Sequence, residues 1–201
     1  MIQNKHLLAA LILSFSLLAC KNDTKNEEVA PQQEEKIDKK VDARTLEQSK
    51  SSIMARLMTI PEINTCGRLV ISAEMSDMLM QEGPFTLFAP SNDAFEGMDQ
   101  EQYKSMLDPK NKEQLISLLK NHIIPTDLGS AEMLQQLSGG SIDFTALGGA
   151  KLVVSMEEGD VIISDEVGTV SVVSKTDIKA LNGTVHIINT VLTTGPVEEQ
   201  D

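Results

Sequence analysis

The hydrophobic period of this chain changes at Gly139-Gly140, and that change sets the fold class. Upstream, Ile53, Leu57 and Ile60 recur at helical spacing, as do Leu69, Val70, Ala73 and Met78 on a second segment. Asn111 to His122 is the clearest amphipathic stretch, with Leu115, Leu118 and Leu119 on one face and Lys112, Glu113 and Lys120 on the other. Before it, Pro84 to Ala89 reads as a short strand. Ser91 or Asn92 then caps a helical turn, and Asp99 caps another that runs through Leu107. Downstream, Lys151 to Met156, Asp160 to Ser164 and Thr169 to Ser174 are β-branched runs broken by turn residues, and Thr184 to Leu192 closes the set as a long strand. Helices first and strands second predict an α+β domain, a sheet or sandwich with helices packed to one side. With no Trp, one Tyr and five Phe, its core must come from Leu, Ile, Val and ten Met.

The N-terminus has a different character. Lys5 and His6 precede a 13-residue apolar run, Leu7 to Ala19, and Cys20 follows. As a helix the run would measure about 20 Å, too short for a bilayer core of about 30 Å. Basic start, apolar middle and small residue at the end form the pattern of a secretory signal. Leu17-Leu18-Ala19-Cys20 resembles a bacterial lipobox. That resemblance implies cleavage of residues 1–19 and lipidation of Cys20, with a diacylglycerol on its sulfur and an acyl chain on its new amine. Two or more chains anchor a protein stably where one does not. Lys21 replaces the Asp often found there in inner-membrane lipoproteins of enterobacteria, so the resemblance favours the outer membrane, with either face open to the domain.

From Lys21 to Arg44, thirteen of 24 residues are charged. Such a stretch buries too little surface to offset its ordering entropy, so residues 20–45 read as a lipidated tether reaching about 25–30 Å. Residues 46–195 form the single folded domain, and residues 196–201 an acidic tail. The net charge is −13, and the domain alone has ten Lys/Arg against twenty Asp/Glu. That balance repels a phosphate backbone, which excludes nucleic acid as a partner. It also disfavours direct binding of the domain to anionic lipid.

Candidate reactive groups are few. Two cysteines, Cys20 and Cys66, build neither a disulfide scaffold nor a zinc cage. Asn-Thr-Cys66-Gly lacks a nucleophile turn, so Cys66 reads as a small buried hydrophobe. Glu157, Glu158, Asp160, Asp165 and Glu166 lack the spacing of a calcium loop and read as a solvated hairpin tip. Gly139-Gly140 and Gly148-Gly149 precede strands and do not cradle phosphate. His122 ends the Leu-rich helix, where the dipole favours a protonated ring. His186 alternates with Val185 and Ile187, and both histidines read as half-buried core residues. No catalytic set, metal site or cofactor emerges.

Three segments together carry a resemblance. Gly83 to Met98 (GPFTLFAPSNDAFEGM), Leu118 to Pro125 (LLKNHIIP) and Leu181 to Gly195 (LNGTVHIINTVLTTG) resemble, in order, the characteristic blocks of the fasciclin domain family. The resemblance implies a wedge-like β-sandwich flanked by several helices, and no catalytic activity. Asn92 takes the family's Asn/Asp place and His122 its His place, both as structural polar anchors. Asn121 stands where the family commonly has Tyr, in a segment linked to integrin binding in animal members.

The reading that follows is a non-catalytic bacterial lipoprotein, held to a membrane by the Cys20 lipid and displaying one fasciclin-type domain for adhesion or protein interaction. Its candidate structural or interaction residues are Asn92, Asn121, His122, Ile123, Ile124 and His186. The helix Asn111 to His122 and the following Ile123-Ile124 are the expected contact patch, for a protein or glycan partner. An alternative is a periplasm-facing module that binds a glycan or a small apolar ligand. A hydrolase would need a reactive Cys66 or a His–carboxylate pair.

Overall fold

The computed structural model describes residues 51–193. Residues 1–19, Cys20, the tether and the tail 196–201 lie outside the described residues. The element order is α1 (Ile53–Thr59), α2 (Asn64–Ser72), α3 (Ser76–Met80), β1 (Phe85–Pro90), α4 (Asn92–Glu96), α5 (Gln100–Met106), α6 (Lys112–Lys120), β2 (Ile123–Ile124), α7 (Ser130–Leu137), β3 (Ile142–Thr145), β4 (Lys151–Glu157), β5 (Asp160–Asp165), β6 (Val170–Ala180) and β7 (Gly183–Ile188). Short 3₁₀ turns at Pro61–Ile63 and Pro109–Asn111 lead into α2 and α6. The α+β class is the one that the change of period predicts.

Seven strands form a sheet in the order β2-β1-β7-β6-β5-β4-β3. β1 and β7 run parallel, pairing Phe85 with Gly183 through Pro90 with Ile188, and the other pairs are antiparallel. β6 joins the two halves of the sheet. Its pairing with β7 slips between Val173 and Lys175 and again between Lys175 and Ile178. Asp177 lies in the second slip at φ 61°, a left-handed conformation that bulges favour.

The central strands are buried on both faces, so each alternates between two cores. Leu87, Ala89, Val185 and Ile187 enter the first core with residues of α1 to α4 and α6. Phe88 and Ile188 enter the second with Leu128, Met133 and Leu137, and with Leu152, Val154 and Ile163 from the outer strands. Ile123 and Ile124 divide in the same way between the two cores.

The structure departs from expectation in four places. Helices occupy both faces, because α7 covers the second core. Met78 belongs to its own helix: the chain breaks after Ser72, and Glu74 takes φ 57° before α3 begins. β7 ends at Ile188, whereas the expected strand ran to Leu192. β6 continues to Ala180, six residues past the expected end at Ser174, because its bulges carry pairing through the polar Lys175-Thr176-Asp177.

Two glycines permit close approach. A Cβ on Gly67 would stand 3.1 Å from the Leu57 carbonyl oxygen, so glycine lets α2 press against α1. Gly183 has φ 148°, and a Cβ there would overlap the backbone of Phe85 where β1 meets β7.

Candidate functional site

The expected site residues lie at polar joints between elements. His122 follows α6 and is 1% exposed. Its Nδ1–H donates to the Leu118 carbonyl at 2.8 Å, and its Nε2 accepts the Leu192 N–H at 3.0 Å. One neutral tautomer satisfies both bonds. Burial pushes the ring's pKa down to about 4, against the opposing pulls of the Leu118 carbonyl and of Asp165. Desolvation therefore overrides the helix-end effect that favoured a protonated ring.

Asn121 caps α6 and is also buried, its Oδ1 accepting the Ala150 N–H at 3.2 Å. Ile123 and Ile124 are 1% and 0% exposed. The expected contact patch is thus corrected: its four C-terminal residues face inward, since the two cores absorb both isoleucines and main-chain groups take up both polar side chains. Any contact on this helix must use its outer face.

His186 stacks on Phe88 with ring centroids 5.7 Å apart. Its Nε2–H donates to the Leu128 carbonyl at 2.7 Å, and its Nδ1 faces the Asp177 N–H at 3.4 Å. Burial, first among several influences, lowers its pKa. Asp177 in turn accepts the Ser130 N–H at 2.9 Å and the Ser130 hydroxyl, which caps α7 from a distant strand.

Of the two cap candidates before α4, Ser91 performs the capping, with its Oγ accepting the Ala94 N–H at 3.1 Å. Asn92 reaches back instead. Its Oδ1 accepts the Thr65 N–H at 3.0 Å and its Nδ2 donates to the Pro61 carbonyl at 2.8 Å, tying α4 to the start of α2. Cys66 is 1% exposed, and burial raises its thiol pKa to about 12. That thiol is a packing group and a poor nucleophile.

Sequence reasoning missed two anchors. Asp165, grouped with the solvated hairpin tip, is 7% exposed and accepts the N–H groups of Val167, Thr169 and Thr193. Its burial depends on Thr193, 28 residues on, which no local pattern shows. Asn182, which the sequence shows only as part of the Leu181 to Gly195 block, accepts the Ile53 N–H and donates to the carbonyls of Leu79 and Gln81, all within 2.9 Å. Among the described residues, no buried side-chain nitrogen or oxygen lacks a partner, and no cluster of His, Cys, Asp and Glu is built to hold a metal.

Two of the recesses on the described surface lie among the helices. A groove of about 450 Å³ runs between α5 and α6, floored by Met98, Met106 and Leu118. A smaller cleft of about 220 Å³ opens where α2, α4 and α5 meet.

A seven-stranded sheet with helices on both faces, knit by polar joints at Asn92, His122 and Asn182, defines a closed module whose interior is fully committed to its own fold. The fasciclin domain profile matches residues 61–194, and the chain belongs to that family. Protein sll1483 of Synechocystis sp. is 33% identical over 142 residues, spanning 67% of this chain and 73% of that protein. Periostin of Homo sapiens is 29% identical over 149 residues, spanning 74% of this chain and 16% of periostin. Among solved structures, a FAS1 domain pair from the insect cell adhesion molecule Fasciclin I shares the fold, with TM-score 0.63 and 16% identity over 72% of this chain and 51% of that one. The fasciclin domain occurs in adhesion proteins and is an interaction module, and nothing in the site described here indicates catalysis.

Proposed function

We propose that this protein is a lipid-anchored adhesion or protein-interaction lipoprotein of the bacterial envelope, displaying its fasciclin domain from the outer membrane on the charged tether. The observation that carries the reading is the committed interior: each buried polar side chain in the described residues is paired within the fold. The buried histidines, the buried cysteine and Asn92, Asn121, Asn182 and Asp165 are all engaged in holding elements together. Function then belongs to the outer surface, as in an adhesion module. The domain's ten basic against twenty acidic residues keep that surface off anionic lipid, so the membrane attachment falls to Cys20.

Anchoring at a membrane also supplies what one domain lacks. A single weak contact gains strength when many copies share a surface, because each further contact forms at high effective concentration. Phase separation in detergent tests the anchor. The wild-type chain is expected in the detergent phase and Cys20→Ser in the aqueous phase. A wild-type chain that stays aqueous contradicts the reading.

A further inference from the structure

We infer that the cleft between α2, α4 and α5 binds one ring of a neutral glycan. The inference deepens the interaction reading above and rests on it. The argument begins with Arg68, an exposed residue of α2. Its guanidinium is oriented by the Thr65 hydroxyl at 3.1 Å and the Asn64 carboxamide oxygen at 3.4 Å. These bonds leave further N–H donors of its five unused. Arg68 forms no ion pair among the described residues, although the domain around it is acidic.

The cleft also has an aromatic lining. Tyr103, half-buried on α5, leans on the buried Phe95 with ring centroids 6.3 Å apart and planes inclined at 53°. That contact fixes the tyrosine ring at the cleft wall. The cleft is lined as well by an acceptor, the exposed Glu96 carboxylate, and by two amides that both donate and accept, those of Asn92 and Gln100. Asn92 uses one amide hydrogen on the Pro61 carbonyl and keeps the other.

This donor and acceptor set selects the ligand's chemistry. An anion entering the cleft meets Glu96, and a cation meets Arg68. A purely apolar ligand would strip water from both charges with nothing returned. A pyranose carries neighbouring hydroxyls that donate and accept, together with a C–H face for an aromatic ring, and it is uncharged. The recess of about 220 Å³ is smaller than the roughly 300–1,000 Å³ of sites that enclose drug-sized ligands. It is sized for one ring of a chain whose remainder stays in solvent.

The protein provides its own reporter. Tyr103 is the one tyrosine of the sequence and there is no tryptophan, so intrinsic fluorescence reads this cleft directly. The full chain, in a detergent without a sugar headgroup, is titrated with neutral tetrasaccharides of glucose, mannose and galactose, and with tetragalacturonate. A saturable change is expected with at least one neutral probe, weakened about tenfold by Arg68→Ala and again by Gln100→Ala. Both are exposed positions, so the variants are expected to fold. Three results overturn the inference: no saturable change with any neutral probe, tighter binding of tetragalacturonate, or unchanged binding in both variants. Detergent partitioning of the same chain does not involve the cleft, so a failed titration with an intact anchor removes the cleft alone.

Discussion

His122 accepts the backbone N–H of Leu192 on its Nε2 at 3.0 Å, joining the end of α6 to the chain beyond β7 across seventy residues. The bond requires a neutral ring, because a protonated Nε2 would turn its own hydrogen against the Leu192 N–H.

The first prediction concerns pH. Burial depresses the His122 pKa from its ordinary 6.5 to about 4, so between these values the unfolded chain binds more protons than the native one. Stability therefore rises with pH in this window. The contribution is complete above about pH 6.5 and is lost as pH falls toward 4, amounting to about 3 kcal/mol at most. The downward shift of His186 adds in the same direction. Urea unfolding is expected to show falling stability from about pH 7 to about pH 5, with a shallower slope in His122→Gln. An equal slope in that variant would show that His122 does not titrate on unfolding.

Asn182 tests whether the joints hold the domain together. Its carboxamide serves one N–H from α1 and two carbonyls from the end of α3 and the turn after it. Asn182→Ala leaves buried main-chain groups unpaired and is expected to cost about 3 kcal/mol in denaturant unfolding. Asn182→Asp is expected to give no rescue, since a carboxylate turned to two carbonyl oxygens supplies no donor. A cost below about 1 kcal/mol would show that water replaces these bonds readily.

A thiol assay examines the non-catalytic account. In a Cys20→Ser background Cys66 is the remaining cysteine, buried and raised to about 12. Thiol reagents at about pH 8 are expected to leave the native protein unlabelled and to label it fully in denaturant. Rapid labelling of the native protein would contradict the burial and revive a cysteine nucleophile.

The legible parts of this fold are those whose cause lies within a few residues. Ser91, Asp99 and the leucines of α6 announce their helices locally, and the β-branched runs announce β4, β5 and the start of β6. The three family-like blocks fall on β1 with α4, on α6 with β2, and on β7. What escaped notice is held from far away. α7 follows Gly129 with no side-chain cap of its own, because its cap is Asp177 on β6. β2 has two residues and β3 four, too short for a period to show. Asp165 reads as a surface acid until Thr193 folds over it. The inward turn of Asn121 and Ile123-Ile124 follows from a sheet covered on both faces, which the expectation of one-sided helices hid. The cleft at Arg68 and Tyr103 draws on three helices and leaves no continuous pattern.

The most direct test of the account is protease treatment of intact cells, with lysed cells as control, following the domain of residues 46–195. The charged tether of the proposed function would offer a protease its cleavage site. The adhesion reading predicts release of the folded domain from intact cells, which would put the interaction surface outside the cell. Release only after lysis would contradict surface display and put the partner within the envelope.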